Sequence, residues 1–297
     1  MTADIAAAAQ LACLLEASAP KPGNVSPGRH FADVRYEHFL ASAAAIGLPL
    51  SGAGDRGVGE TILRAAQATS RWTRSNTNLG IVLLLAPLAR AASEIRLSTV
   101  QPDRNGPERR LLRAEALRDA LHGVLQRTTI EDARQVFAAI RLASPGGLGD
   151  APEQDVADEP TVTLLDAMRL AADYDGIARE YATGFATTFE TGVPTLLRAR
   201  ADGLSWDDGV VETFMTVLAG QPDTHIARRG GPELAIDISQ RAAEVVRAGG
   251  VRSEEGRRAL GYFDHSLRDP RNVGNPGTTA DLTAAAIFVA LLQGAWN

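Results

Sequence analysis

The chain has 297 residues, 45% of them hydrophobic and 22% charged, which is enough apolar material to bury a substantial core as one large domain or two. A net charge of −6 with no block of Lys or Arg excludes general nucleic-acid binding, because phosphate backbones demand a basic footprint. The single cysteine, Cys13, excludes an intrachain disulfide and a cysteine-based zinc cluster, and in its Ala/Leu-rich setting it is expected to pack in the interior.

In chain order, stretches rich in Ala, Leu, Glu and Arg predict helices over 3–17, 37–47, 57–72, 79–97, 108–126, 131–142, 161–174, 177–190, 207–219, 232–248, 253–267 and 279–295. Alternating Val/Ile/Thr runs between tight turns are missing, so the expected fold is all-α. The N-terminus lacks the basic-then-apolar pattern of a secretory signal, and the most hydrophobic run, 79–89, is far shorter than the ~20 residues that span a bilayer. A cytoplasmic protein without membrane association is expected. Pro87 should kink or break the helix beginning near Leu79, while Gly249-Gly250 and Pro270 should act as helix stops. The Gly- and Pro-bearing stretch 144–150 and the acidic run to Glu159 predict an ordered loop or a mobile lid. No repeat of fixed period is present, and polar loops are spread along the whole length. One domain over 1–297 with a composite site is therefore favoured.

Each of these loops combines polar side chains with glycine, as suits backbone that must approach a ligand closely. In Pro20-Lys21-Pro22-Gly23-Asn24, two prolines stiffen the chain around Lys21, so its ammonium can meet a phosphate with little entropy left to lose; a rigid connector with a solvated lysine would use the same residues. Asn76-Thr77-Asn78 opens an apolar helix, where free N–H groups and the positive dipole end favour an anion, although one Asn or Thr suffices as an N-cap. Asp223-Thr224-His225 and Arg229-Gly230-Gly231 lie in a connection between two helices. Arg229 can offer a planar fork to phosphate and Asp223 can hold a metal ion or a ribose hydroxyl, whereas a lone histidine such as His225 is more often a structural hydrogen-bonder. In Asn275-Pro276-Gly277-Thr278-Thr279-Ala280-Asp281, Thr278 or Thr279 can cap the last helix, and Asp281 is either a structural acid in its first turn or a magnesium ligand. Asp33 and Glu37 would share one face of a helix starting near Val34 and could hold a divalent ion; Glu16 and Glu60 precede the lysine and asparagine loops.

The ordered set Glu16, Pro20-Lys21-Pro22-Gly23, Phe39-Leu40-Ala41-Ser42, Gly59-Glu60, Asn76-Thr77, Asp223-Thr224, Arg229-Gly230-Gly231 and Pro276-Gly277 with Ala280-Asp281-Leu282 resembles the triphosphoribosyl-dephospho-coenzyme A synthase family, over about residues 10–290. The resemblance implies an all-helical transferase that attaches the ribose of ATP, with its triphosphate, to the ribose 2′-hydroxyl of dephospho-coenzyme A and expels adenine. It further implies Mg²⁺ on the triphosphate, a base for the attacking hydroxyl and stabilisation of a cationic sugar carbon. Carried over by residue, Lys21 and Arg229 would converge on the phosphates. Glu16, Asp33 and Asp223 are the candidates for the base, and Asp223 with Asp281 for a shared Mg²⁺ site. Asn24, Asn76, Thr77, Asn78, Asn275, Gly23, Gly230, Gly231 and Gly277 would shape the nucleotide pocket.

The chain departs from the family pattern at Asn78 and Leu79, where the synthases usually have His and a basic residue, and at Asn24-Val25-Ser26 after Lys-Pro-Gly. Lys-Pro-Gly-Asn-Val and Asn-Thr-Asn-Leu-Gly-Ile resemble a branch from archaea and bacteria that use methanopterin-type one-carbon carriers. A sister reaction with a pterin acceptor is thus the main alternative, and a non-catalytic nucleotide or coenzyme sensor is another. Exposed apolar helix faces would allow a homodimer.

Overall fold

The computed structural model describes residues 2–98, 113–143 and 153–296. Among them the secondary structure is helical, and β pairing is limited to an isolated bridge between Ser26 and Arg29. The α-helices in order are α1 Thr2–Ser18, α2 Tyr36–Ala45, α3 Gly47–Ser51, α4 Val58–Ser70, α5 Leu79–Ser98, α6 Ala114–Gln126, α7 Ile130–Ala143, α8 Leu164–Ala171, α9 Gly176–Thr183, α10 Val193–Ala201, α11 Trp206–Gly220, α12 Thr224–Gly230, α13 Pro232–Arg247, α14 Glu254–Leu267 and α15 Gly277–Leu292. The sequence 144–152, where a lid was expected to begin, lies outside the described residues. None of the described helices is long and apolar enough to cross a membrane.

Two helices organise the rest. α15 is apolar on every side, with Leu282 and all of Ala284–Ala290 buried, and such a helix is stable only as a core element. It packs on α1, α5, α9, α10, α11 and α12. α5 is the second, packed on α1, α4, α6, α7, α9 and α15, with Leu84 through Ala86 and Leu88-Ala89 fully buried. Cys13 packs in this core, as its surroundings in the sequence predict.

Pro87 does not break α5. The helix runs through it without interruption, because the missing proline N–H frees the Leu83 carbonyl four residues back and the Tyr181 hydroxyl donates to that oxygen at 2.6 Å. The long helix expected over 177–190 ends instead at Gly184, which takes the left-handed conformation with φ 65°. A π-helical segment, Thr187–Gly192, then leads into α10. The carboxylate of the fully buried Glu180 stabilises this junction by accepting from the Thr187 and Thr188 N–H groups, each at 2.9 Å, and from Thr188 Oγ1 at 2.6 Å. Gly249, with φ 101°, follows the end of α13, and α14 stops before Pro270, both as expected.

Candidate functional site

The N-terminal ends of α5, α9, α12 and α15 meet the loop after α1 around a cavity of about 250 Å³. A hydrogen-bonded knot sets the last three of these helix starts in place. Thr224 Oγ1, at the start of α12, accepts from Gly176 N of α9 at 3.0 Å and lies 3.0 Å from Thr278 Oγ1 of α15. Asp223 caps α12 through Ile226 N at 3.0 Å, and its second oxygen accepts from both Thr279 N and Thr279 Oγ1 at 2.7 Å. Asp175 caps α9 through Ile177 N and Ala178 N and forms an ion pair with Arg228 of α12 at 2.5 Å. At the fourth helix, Asn76 Oδ1 accepts from Leu79 N at 3.1 Å and so satisfies the first N–H of α5. Thr77 Oγ1 lies 2.5 Å from Ser42 Oγ, and Asn78 Nδ2 donates to Thr69 Oγ1 at 3.2 Å.

Of the residues singled out from the sequence, Glu16, Asn24, Asn76, Thr77, Asn78, Asn275, Gly277 and Asp281 line this cavity. The others do not. Lys21 is wholly buried behind Glu16, with its Nζ 2.9 Å from Glu16 Oε1 and also donating to the Glu16 carbonyl. Gly23 is required for the turn, since its φ is +74° and a Cβ there would stand 2.9 Å from Leu267 Cδ1. Asp33 is exposed and precedes α2, which starts only at Tyr36, so Asp33 and Glu37 share no helix face; Glu37 is paired with Arg35 instead. Arg229 is exposed on the far side of α12, where it donates to the Arg271 carbonyl at 2.6 Å, and Gly230 and Gly231 form the turn into α13.

The expected pairing of Lys21 with Arg229 at one site is thereby corrected, and so is the Asp223–Asp281 metal pair. Asp223 is buried, does not line the cavity, and has both oxygens committed to helix caps. Asp223→Ala should accordingly cost about 2–3 kcal/mol of stability, the sum of a lost N-cap and a lost charge-assisted bond, measurable by urea unfolding. A change below about 0.5 kcal/mol would contradict this role.

Asp281 differs from the other carboxylates. It lines the cavity from the second turn of α15 and has no hydrogen-bond or ion-pair partner among the described residues. Burial first, then the charges of Glu16 and Asp223, push its carboxyl well above the usual range, with Arg228 acting in the opposite direction. Gly80 makes room for it, as a Cβ there would stand 2.0 Å from Asp281 Oδ2. Gly80→Ala should therefore displace this carboxylate and cut activity more than tenfold, while the better helix propensity of alanine, by about 1 kcal/mol, preserves the melting temperature. Full activity in that variant would count against a role for Asp281.

Asp175, His225 and Arg228 are among the cavity residues missed from the sequence as site members. Asp175 carries a legible signal, the Asp-Gly cap of a helix. His225 and Arg228 do not, because the segment reads as a loop until α12 is seen to put positions 225 and 228 on one face and 229 on another. His225 is held neutral: burial, then the neighbouring Arg228 and Arg229 charges, lower its pKa to about 4. The charged side chains on the wall are thus mostly acidic, with Glu16, Glu153, Asp155, Asp175 and Asp281 against Arg228. The rest of the lining is largely apolar and includes Phe31, Phe39, Phe137, Ile140, Met168 and Ile177.

A match to the family described as ATP:dephospho-CoA triphosphoribosyl transferase covers residues 2–297. A crystal structure of an Archaeoglobus fulgidus protein assigned as a triphosphoribosyl-dephospho-CoA synthase superposes with a TM-score of 0.63 and 30% identity, over 87% of this chain and 100% of that one. The 2-(5″-triphosphoribosyl)-3′-dephosphocoenzyme-A synthase of Klebsiella pneumoniae is 31% identical over 119 residues, 40% of this chain and 42% of its own length. A Pseudomonas putida protein assigned the same activity is 35% identical over 115 residues, 38% of this chain and 40% of its own. The aligned parts thus span about two fifths of these curated relatives. From the family match over nearly its full length, the chain belongs to the ATP:dephospho-CoA triphosphoribosyl transferase family.

Proposed function

We propose that this protein transfers the 5-triphosphoribosyl group of ATP to a hydroxyl of dephospho-CoA and releases adenine. The observation that carries the reading is the partnerless Asp281 beside Glu16 in a cavity ringed by four helix N-termini. In the transfer, the bond between the ribose C1′ and adenine N9 breaks, and its electron pair leaves with the base. The acceptor oxygen bonds to C1′ and gives up its proton, and adenine gains one. Of the three candidates for the base, Glu16 alone lines the cavity, and Lys21 fixes it from behind, so Glu16 would take the hydroxyl proton. Asp175 and Glu16 would also set negative charge near the sugar carbon as it becomes cationic.

A triphosphate facing this acidic wall needs countercharge. Mg²⁺ is commonly bound through one or two carboxylates and completes its shell with phosphate oxygens and water, and no group of three or more ligating side chains occurs among the described residues. Asp281, with its free oxygens and with Glu16 as neighbour, fits that pattern and would hold the ion, whose role when bound is to neutralise phosphate charge. Arg228 and the helix N-termini would bind further phosphate oxygens. The aliphatic lining residues Ile140, Met168 and Ile177 would hold the long uncharged arm of the coenzyme. We read 1–297 as one domain, since a single buried cluster runs from Ile5 to Leu292.

A second reading, with a methanopterin-type pterin as acceptor, is supported by Asn78. Where the synthases usually place a histidine, this side chain ties Thr69 and Ser42 together. Adenine release from ATP, measured with dephospho-CoA and with a pterin acceptor, separates the two. Nucleotide binding without adenine release in either mixture would leave only a sensor.

A further inference from the structure

We propose that Asn24 and His225 form the nucleobase-binding end of the cavity and read the edge of a purine. This rests on the nucleotide-transfer reading above and assigns it a recognition element. Asn24 is 6% exposed, and its Nδ2 donates to Asn275 Oδ1 at 2.5 Å. Its own Oδ1 is buried with no partner. His225 Nε2 is likewise buried and without a partner. Both residues line the same cavity.

One short loop brings them together. Asn275 holds Asn24, and Gly277, two residues further on, carries the imidazole, whose Cγ would lie 3.0 Å from a Cβ at that position. Two residues of chain span no more than about 7 Å, so the partner of Asn24 and the neighbour of the imidazole stand within that distance of each other along the loop. Buried polar atoms nearly always have a partner in a native protein. Asn24 Oδ1 and His225 Nε2, with Arg228 Nε as a third unpartnered atom among the residues that line the cavity, mark a place where a ligand supplies the missing groups.

The chemistry of the first two atoms narrows that ligand. Asn24 Oδ1 can only accept, so the ligand must bring a donor. His225, neutral between burial and two arginines, can donate from Nε2 to an uncharged acceptor and has no charge to offer a phosphate. A planar group with an N–H donor next to a ring nitrogen meets both demands, as adenine does with its amino group beside N1 or N7. A phosphate brings no donor for Asn24, and a single hydroxyl, which can donate to one atom and accept from the other, offers the surrounding aromatic side chains no flat face. Phe31, Phe39 and Phe137 on the cavity wall suit a flat, largely apolar ring.

The test compares binding of Mg-ATP and of ribose 5-triphosphate, which lacks the base, to the wild-type protein, His225→Phe and Asn24→Ala. Each variant should lose about tenfold in ATP affinity and nothing in ribose 5-triphosphate affinity, the size of one or two neutral hydrogen bonds. Phenylalanine preserves the ring volume, so ligand-free His225→Phe should melt no lower than wild type; a structural histidine replaced in the same way would lower the melting temperature. Unchanged ATP affinity in both variants, equal losses for the two ligands, or a destabilised His225→Phe overturns the proposal. Wild-type protein that binds neither ligand overturns the nucleotide reading and the base subsite together.

Discussion

Replacing Asp281 with asparagine should abolish transfer while making the ligand-free protein more stable. The carboxyl lies among Glu16, Asp223 and Asp175, and Arg228 is the cation that counters them. Because its pKa is raised in the folded protein, the folded state keeps a proton that the unfolded state has already released. Stability therefore falls as pH rises from the ordinary carboxylate range through the raised value, and above that value the full cost of the charge is present. Asparagine has no charge to bury and should recover on the order of 1–2 kcal/mol at neutral pH, with a flatter stability profile from roughly pH 4 upward. The rate should fall by about 10²-fold or more, as expected when a group that organises charge in the transition state is lost. Urea unfolding across pH and an adenine-release assay measure the two effects. An Asp281→Asn protein that is less stable, or fully active, would contradict the role assigned to this residue.

Lys21→Ala should produce the largest loss of stability of any single change considered, about 3–5 kcal/mol, since it leaves the Glu16 carboxylate buried without its cation. The sequence suggests instead a phosphate contact whose loss weakens ATP binding by ~1–3 kcal/mol. The structure relocates Lys21 behind the cavity wall, at 0% exposure, with Ala19 and Glu16 carbonyls as additional acceptors. A double variant, Lys21→Met with Glu16→Gln, should recover much of the lost stability by removing both charges, although it should remain inactive. Destabilisation below about 1 kcal/mol in Lys21→Ala, with a large loss in nucleotide affinity, would restore the phosphate role.

The helical fold was legible because Ala- and Leu-rich stretches have the same preference locally as in the folded chain. Failures occurred where a distant residue changes the local outcome. Pro87 remains inside α5 because Tyr181, far away in sequence, satisfies the Leu83 carbonyl. α12 was read as a loop because it is short and bounded by Asp223 and glycine, and without its helical register Arg229 could not be told from Arg228. The site loops themselves were visible from their composition, and those carrying Asn24, Asn76, Asn275 and Asp281 do reach the cavity. What composition cannot show is which polar group a fold reserves for itself. Asp223 and Asp281 look equally suited to a metal in the sequence, yet Thr279 occupies the first and leaves the second open.

The most direct test of the central claim is to incubate the purified chain with ATP, Mg²⁺ and dephospho-CoA and to quantify free adenine together with the mass of the product. One adenine should appear for each acceptor consumed, with the acceptor gaining a triphosphoribosyl group, and Glu16→Gln should suppress both. Formation of ADP or of AMP and pyrophosphate in place of adenine, or adenine release that persists at the wild-type rate in Glu16→Gln, would contradict the account.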